Sequence, residues 1–384
     1  MSLTFAIDAT DGAARTGMVT TTRGGFRTPC FMPVGTRGAV RTLSSADLED
    51  LGAEIVLGNT YHLMLRPGVD VVARLGGVHG FADWRGHVLT DSGGYQVFSL
   101  KPRVDDEGVT FASTYDGSAH HLTPEGAVDV QVLLASDIQM ALDVCPPLPS
   151  PPEVVRAAAD RTALWAERAR KAFLAHDRPD LSQFGIVQGG VDRALRAEHA
   201  QRIVAIGFEG YAVGGLSVGE DRTEMLPALE ATVAELPGDR PRYLMGVGDP
   251  LGIVDAVVRG VDMFDCVLPT RLGRHGTLLT WTGRLNLRNG RFADDPRPID
   301  EACACPVCAR WSRGYLRHLL SVDEPTAPRL LTIHNVHWTF ELVHRVRRAI
   351  AERRLADLRA EIAERWHAPP AGEGRDGTAA SGDR

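Results

Sequence analysis

Eight short apolar runs, each followed by a helical stretch, constrain this chain more than any other feature. The runs are residues 30–34, 54–58, 87–90, 137–142, 184–187, 211–213, 242–246 and 262–266. Their apolar character is continuous rather than alternating, which predicts strands buried on both faces, as in a parallel sheet. One helix is expected to start at Ser44 or Ser45, either of which can cap it. Others are expected over 124–135, 152–175, 193–206, 222–236 and 250–259. Thr123-Pro124-Glu125 is a start signal, because a first-turn proline lacks only an N–H that the helix does not use. Eight such units over about 250 residues predict an α/β fold, a (β/α)8 TIM barrel. An open doubly wound sheet is the competing arrangement, but no glycine-rich dinucleotide fingerprint follows the first strands.

Some stretches fall outside the repeat. Residues 1–29 read as an N-terminal hairpin turning at Gly24-Gly25. Residues 93–121 form an insertion after the third strand, and residues 338–366 read as one long amphipathic helix or a pair. The expected organisation is a single catalytic barrel domain over 1–366, with an inserted subdomain at about 272–340 near the C-terminal end. Residues 367–384, rich in Gly, Ala, Pro and Asp, are expected to be disordered. No apolar run reaches about 18 residues and no window resembles a signal peptide. A soluble, cytoplasmic protein without a membrane partner is expected. The net charge of −7 argues against a general nucleic-acid coat, yet arginines concentrate between Arg259 and Arg317, leaving room for a local basic face.

In a barrel of this kind chemistry gathers at the carboxyl ends of the strands. Asp91 follows the third run, Asp143-Val144-Cys145 the fourth, and Gln188-Gly189-Gly190 the fifth. Gly214-Gly215-Leu216 follows the sixth, Met245-Gly246 ends the seventh, and Asp265-Cys266 ends the eighth. Three carboxylates, one amide and several glycines thus converge on one mouth. Two carboxylates flanking a bond to an anomeric carbon are the usual apparatus of glycosyl transfer, one attacking and the other moving protons. The remaining carboxylate and the amide suit hydrogen bonding to the edge of a planar, polar ligand.

Cys303, Cys305 and Cys308 form a C-x-C-x2-C cluster, too close together for a disulfide framework. Three thiolates at this spacing can ligate one zinc ion, with His318, His334 or His337 as the fourth ligand. Four protein ligands would close the site, making the metal structural.

These residues lie in blocks by which the chain resembles the bacterial tRNA-guanine transglycosylases, also called queuine tRNA-ribosyltransferases. The blocks are TPCFMPVGT (28–36), LTDSGGYQVFSL (89–100), GIVQGG (185–190), AVGGLSVGE (212–220), YLMGVG (243–248) and MFDCVLPTR (263–271), completed by the cysteine cluster and TIHN (332–335). They run in order over roughly residues 3–350 and are specific jointly rather than singly. The resemblance implies a pentosyltransferase that swaps guanine at wobble position 34 of tRNAs with GUN anticodons, those for aspartate, asparagine, histidine and tyrosine. The incoming base would be 7-aminomethyl-7-deazaguanine (preQ1), inserted through a covalent ribosyl-aspartyl intermediate as a step in queuosine biosynthesis.

The resemblance also assigns roles. Asp265 matches the nucleophile and Asp91 the general acid/base. Asp143, Gln188, Gly215 and Leu216 match the groups that read the base edge, and Tyr95 and Met245 those that sandwich it. Cys145 and Val218 follow the bacterial pattern for preQ1. The Leu216 carbonyl and Glu220 are expected to receive its aminomethyl group. Arg271 and Arg274 match the stretch that contacts the anticodon. One zinc per subunit would sit on Cys303, Cys305, Cys308 and, by the TIHN match, His334. Homodimerisation through the zinc-bearing region is also implied. The chain departs from many relatives at Asp249, where they carry lysine. Two competing readings are a catalytically silent RNA-binding subunit and an unrelated barrel glycosidase. The first has no need of both Asp91 and Asp265, and the second no need of a base-reading amide.

Overall fold

The computed structural model describes residues 3–98, 100 and 102–366. Its largest sheet has nine parallel segments whose neighbours follow the order of the chain. Two segments, Cys30–Met32 and Val34–Gly35, are halves of one first strand on either side of Pro33. The first half pairs with the eighth strand, Met263–Asp265, and the second with the second strand, Ile55–Gly58. The sheet therefore closes as the expected (β/α)8 barrel. Proline has no N–H to give a ladder, but the Pro33 carbonyl still accepts from the Leu57 amide at 3.0 Å. The remaining strands are His87–Thr90, Ile138–Met140, Ser182–Val187, Gly210–Val213 and Arg242–Leu244.

Inward-facing side chains alternate along each strand, as the two-residue period requires. Ile55 and Leu57, Phe184 and Ile186, Tyr243, and Met263 share one buried cluster inside the barrel. Their outward neighbours Val56, Val187, Leu244 and Phe264 belong to a second cluster, under the helices. Helix starts follow the local chemistry. Ser44 caps Ser45–Asp50 with a reciprocal bond to Asp47, and Thr123 caps Pro124–Leu134.

The N-terminal segment departs from the hairpin expected. It is a three-stranded antiparallel sheet, Thr4–Asp11, Ala14–Thr21 and Gly24–Thr28. Gly24 and Gly25 lie within the third strand, opposite Thr21 and Thr20, so the turn is made at Thr22 and Arg23. Gly25 serves packing instead: a Cβ there would sit 2.6 Å from the Met18 sulfur. Val19 and Phe26 of this sheet, with Leu3 just before it, join the barrel's interior cluster and close its amino-terminal end. Arg15 pairs with Asp262 at 2.6 Å, and Arg23 pairs with Asp137 at 2.9 Å. Both aspartates immediately precede barrel strands, so these two carboxylates at the amino-terminal end are ion-paired.

The insertion after the third strand holds the helix Gly94–Phe98 and a small antiparallel sheet, Arg103–Val104, Val109–Ala112 and Ala119–Leu122. After the eighth strand come the helix Leu268–Arg274, the hairpin Thr277–Thr280 and Gly283–Asn286, the cysteine loop and the helix Arg313–Ser321. The C-terminal stretch is a pair of helices, Thr326–Ala351 and Leu355–Trp366, the first starting well before Trp338. The tail over 367–384, expected to be disordered, lies outside the described residues. No described helix is long and apolar enough to cross a membrane.

Candidate active site and metal centre

Continuing the strand period two residues past the interior brings a polar set to the carboxyl-terminal mouth. Strand two yields Asn59, strand three Asp91, strand five Gln188, strand seven Met245 and strand eight Asp265. All but Gln188 line a cavity of about 410 Å³, together with Tyr95, Asp143, Cys145, Leu216 and Val218. Asp91, Asp143 and Asp265 therefore meet in one place. None of them has a basic partner among the described residues, in contrast to Asp137 and Asp262 at the other end.

Asp265 is held on one oxygen. The Tyr243 hydroxyl donates to Oδ1 at 2.6 Å and the Gly246 amide donates to the same atom at 2.8 Å. Oδ2 accepts no bond among the described residues. Removal from water raises the Asp265 pKa, with both hydrogen bonds acting against that rise. Tyr243 is fully buried and was missed in the sequence. The available signal was a tyrosine at an inward position, whose hydroxyl must find a partner.

Asp91 is 8% exposed and held by four donors. Asn59 donates to Oδ2, the Thr60 amide to Oδ1 at 2.9 Å, the Gly93 amide to Oδ1 at 3.1 Å, and Gln96 Nε2 to Oδ2 at 3.0 Å. Burial nevertheless pushes its pKa up to about 6, and the donors hold it from rising further. A carboxyl poised there can both give and take a proton near neutrality. Asn59 was also missed, although the period Ile55, Leu57, Asn59 points to it.

Asp143 accepts from Gln188 Nε2 at 2.7 Å and from the Ser92 hydroxyl at 3.3 Å. Burial again pushes the pKa up to about 6, and the nearby charge of Asp91 adds to the rise. Gln188 lies beneath the cavity rather than on its wall. It also explains two glycines: a Cβ on Gly215 would lie 2.2 Å from Gln188 Oε1, and one on Gly214 2.8 Å from Nε2. Gly215 has φ +63°, which favours glycine independently.

An Asp143→Asn substitution is expected to stabilise the protein at neutral pH. Asp143 titrates near 6 when folded and near 3.8 when unfolded. Below about pH 4 both states are protonated and burial of the acid carries no charge penalty. Stability then falls as pH rises through 6, by up to about 3 kcal/mol. Asparagine keeps an acceptor for Gln188 without the charge. Thermal midpoints of both proteins at pH 7.5 and 4.5 check this: the gain should be present at the first and shrink at the second. An equal gain at both would contradict it.

Other expected residues are placed as follows. Tyr95, 64% exposed, stands at the rim. Glu220 does not line the 410 Å³ cavity; its carboxylate turns back to accept from the Ser217 amide and, at 3.0 Å, the Val218 amide. Arg271 and Arg274 lie on the short helix directly after Asp265. Asp249 has a structural task, capping Pro250–Val258 by accepting from the Gly252 amide at 2.7 Å.

The cysteine cluster selects His334 from the three histidines considered. The ligand atoms of Cys303, Cys305, Cys308 and His334 all lie within 4.8 Å of one another. His334 Nδ1 is 3.8, 3.5 and 3.3 Å from the three sulfurs in turn. A tetrahedral metal with thiolate and imidazole ligands needs about 3.5 Å between such atoms, so the group can hold a metal ion. His334 Nε2 lies 2.9 Å from the Leu279 carbonyl, which fixes the ring and directs Nδ1 inward. None of the four ligands lines the 410 Å³ cavity.

Comparison with known proteins accords with this geometry. The family model described as queuine tRNA-ribosyltransferase matches residues 10–368. A queuine tRNA-ribosyltransferase of Sphingopyxis alaskensis is 51% identical over 366 residues, covering 94% of this chain and 98% of that protein. One from Cereibacter sphaeroides is 53% identical over 356 residues, 92% and 94% of the two chains. Another, from Oceanobacillus iheyensis, is 49% identical over 369 residues, 95% and 97%.

Proposed function

Since this chain belongs to the queuine tRNA-ribosyltransferase family, we propose that it replaces guanine at the wobble position of tRNAs with GUN anticodons by 7-aminomethyl-7-deazaguanine. The observation that carries the reading is Asp265, with Oδ1 held by two donors and Oδ2 bare, in the same cavity as Asp91 and Asp143. The target nucleotide leaves the anticodon stack to reach that cavity. Asp265 Oδ2 attacks C1′ of the ribose, forming an ester bond as the C1′–N9 bond breaks. The departing guanine N9 takes the proton held by Asp91. The incoming base then attacks C1′ through N9, the ester bond breaks, and Asp91 receives the N9 proton. Two displacements at one carbon retain its configuration.

Asp143, oriented by Gln188 beneath it, faces the edge of the bound base, with the Gly215 and Leu216 backbone beside it. Tyr95 and Met245 close over its two faces. Val218 and Cys145, both on the cavity wall, favour the small aminomethyl substituent over a bulkier ring. The Leu216 carbonyl is its expected acceptor, with Glu220 holding that loop through Ser217 and Val218. Arg271 and Arg274 would neutralise anticodon phosphates.

The metal would be one zinc per subunit on Cys303, Cys305, Cys308 and His334, supplying a cross-link between the cysteine loop and the long helix. A homodimer through this region and a cytoplasmic location, where tRNA is modified, complete the reading.

The test is incorporation of labelled guanine into a transcript with a GUN anticodon, beside one whose wobble guanine is replaced by adenine. Label in the first alone supports the proposal. No label in either, from folded and metal-loaded protein, would overturn it.

A further inference from the structure

Several arginines of the flanking helices are ion-paired, as in Arg156–Glu198, Arg170–Glu209 and Arg202–Asp160. Two arginines at the mouth differ. Arg37, after the first strand, and Arg66, after the second, are both exposed. Among the described residues neither has a carboxylate within 4.0 Å. Both guanidiniums lie instead over the ring of Tyr115, 5.6 and 4.7 Å from its centre.

Tyr115 comes from the insertion after the third strand, and its hydroxyl is 2.9 Å from Nδ1 of His62. His62 lines the 410 Å³ cavity. Burial, then the charge of Arg37, hold the His62 pKa below its ordinary value. The ring is thus neutral at pH 7, and its Nδ1 can accept from the phenol. The cavity wall fixes the tyrosine, and the tyrosine limits where two cations can go. Such stacking contributes about 0.5–1 kcal/mol at exposed sites.

Strand order turns these residues into an arc. Strand eight neighbours strand one, strand one neighbours two, and two neighbours three. Arg271 and Arg274 follow strand eight, Arg37 strand one, Arg66 strand two and Tyr115 strand three. Cationic groups therefore follow three consecutive strands of the rim, with Tyr115 after the next, while the carboxylates lie inside. A nucleotide drawn into the cavity leaves the phosphates of its neighbours on that rim. For a chain of net charge −7, a polyanion must be met locally.

Resting on tRNA as the substrate, we infer that Arg37 and Arg66, positioned by Tyr115, clamp backbone phosphates of the RNA strand beside the everted nucleotide. They extend the track begun by Arg271 and Arg274. A guanidinium with no carboxylate to release, already restricted by stacking, gives up less on binding phosphate than a paired one.

The experiment compares wild type with the Arg37→Ala/Arg66→Ala double variant in the full-length protein. Affinity for a GUN transcript is read from 50 to 200 mM salt, with KM and kcat for guanine exchange. Losing two single-strand phosphate contacts should flatten the slope of log affinity against log salt by about 1.4. KM for tRNA should rise roughly tenfold at 0.1 M salt, the loss falling on KM rather than kcat. Tyr115→Leu, which leaves both arginines but removes their platform, should reproduce part of the effect. Unchanged slope and KM in the double variant, with wild-type exchange intact, would overturn the clamp alone. Wild type that neither binds tRNA in a salt-dependent way nor exchanges guanine would overturn the reading on which it rests.

Discussion

Asp265→Ala is expected to abolish guanine exchange, by roughly 10⁴-fold or more in kcat, while tRNA affinity stays within about twofold. The size follows from what is lost. Without the carboxylate no ester bond forms at C1′, and water or the incoming base must displace guanine directly without the covalent route. Binding is preserved because the carboxylate makes no phosphate contact in this scheme, and phosphates supply most of the affinity. Alanine also leaves the Tyr243 hydroxyl without an acceptor, so Asp265→Asn is the necessary companion. Asparagine keeps an oxygen for Tyr243 and Gly246 but is a far poorer nucleophile. Both variants should fail to give the covalent protein–tRNA adduct expected of the wild type on a denaturing gel. An adduct or substantial exchange with either one would remove Asp265 from the nucleophile's role. The pKa of Asp265 is raised by burial, so its reactive carboxylate is lost by protonation as pH falls. Exchange by the wild type should decline on the acid side accordingly.

Much of this site was legible because chemistry in a barrel gathers just after the carboxyl ends of its strands, which is where Asp91, Asp143, Gln188, Met245 and Asp265 stand in the sequence. Asn59 also lies on the inward period of its strand, but runs that are apolar on both faces do not reveal which face is inward. Partners were harder. Asn59 reaches Asp91 from the neighbouring strand, and Tyr243 reaches Asp265 from another. Such contacts depend on the register between strands, which a single strand's pattern does not carry. Local turn chemistry also misled: Gly24-Gly25 reads as a turn, yet both lie within a strand, where Gly25 relieves a close approach to Met18. Asp249 reads as a missing lysine, whereas the structure gives it a helix to cap. Spacing brought three cysteines together but left three histidines open. The tertiary packing that decides among them is the bond from His334 to Leu279, from a hairpin remote in sequence.

That packing sets the second large effect. Removing the proposed zinc, or replacing Cys305 by Ser, is expected to lower stability by roughly 5 kcal/mol or more, since structural zinc sites carry folding energy directly. The thermal midpoint should fall by about 6 °C or more. The reason lies in what the ligands join. Three come from the loop around Cys305, which is short of regular structure. The fourth comes from Thr326–Ala351, the helix that packs on the barrel after its eighth strand. The next residue, Asn335, ties the same helix to the Leu279 amide at 3.0 Å and to the Pro269 and Thr277 carbonyls. Pro269 lies on the short helix that carries Arg271 and Arg274, so loosening this junction should reach the arginines proposed to bind RNA before the carboxylates. Metal loss should therefore raise KM for tRNA at temperatures where the barrel is still folded, and reloading zinc should restore stability and KM together. Calorimetry beside metal content, one zinc per chain in the intact protein, provides the measurement. Activity returning with other divalent metals in proportion to their Lewis acidity, with the melting temperature unmoved, would make the metal part of the chemistry and refute a purely structural role.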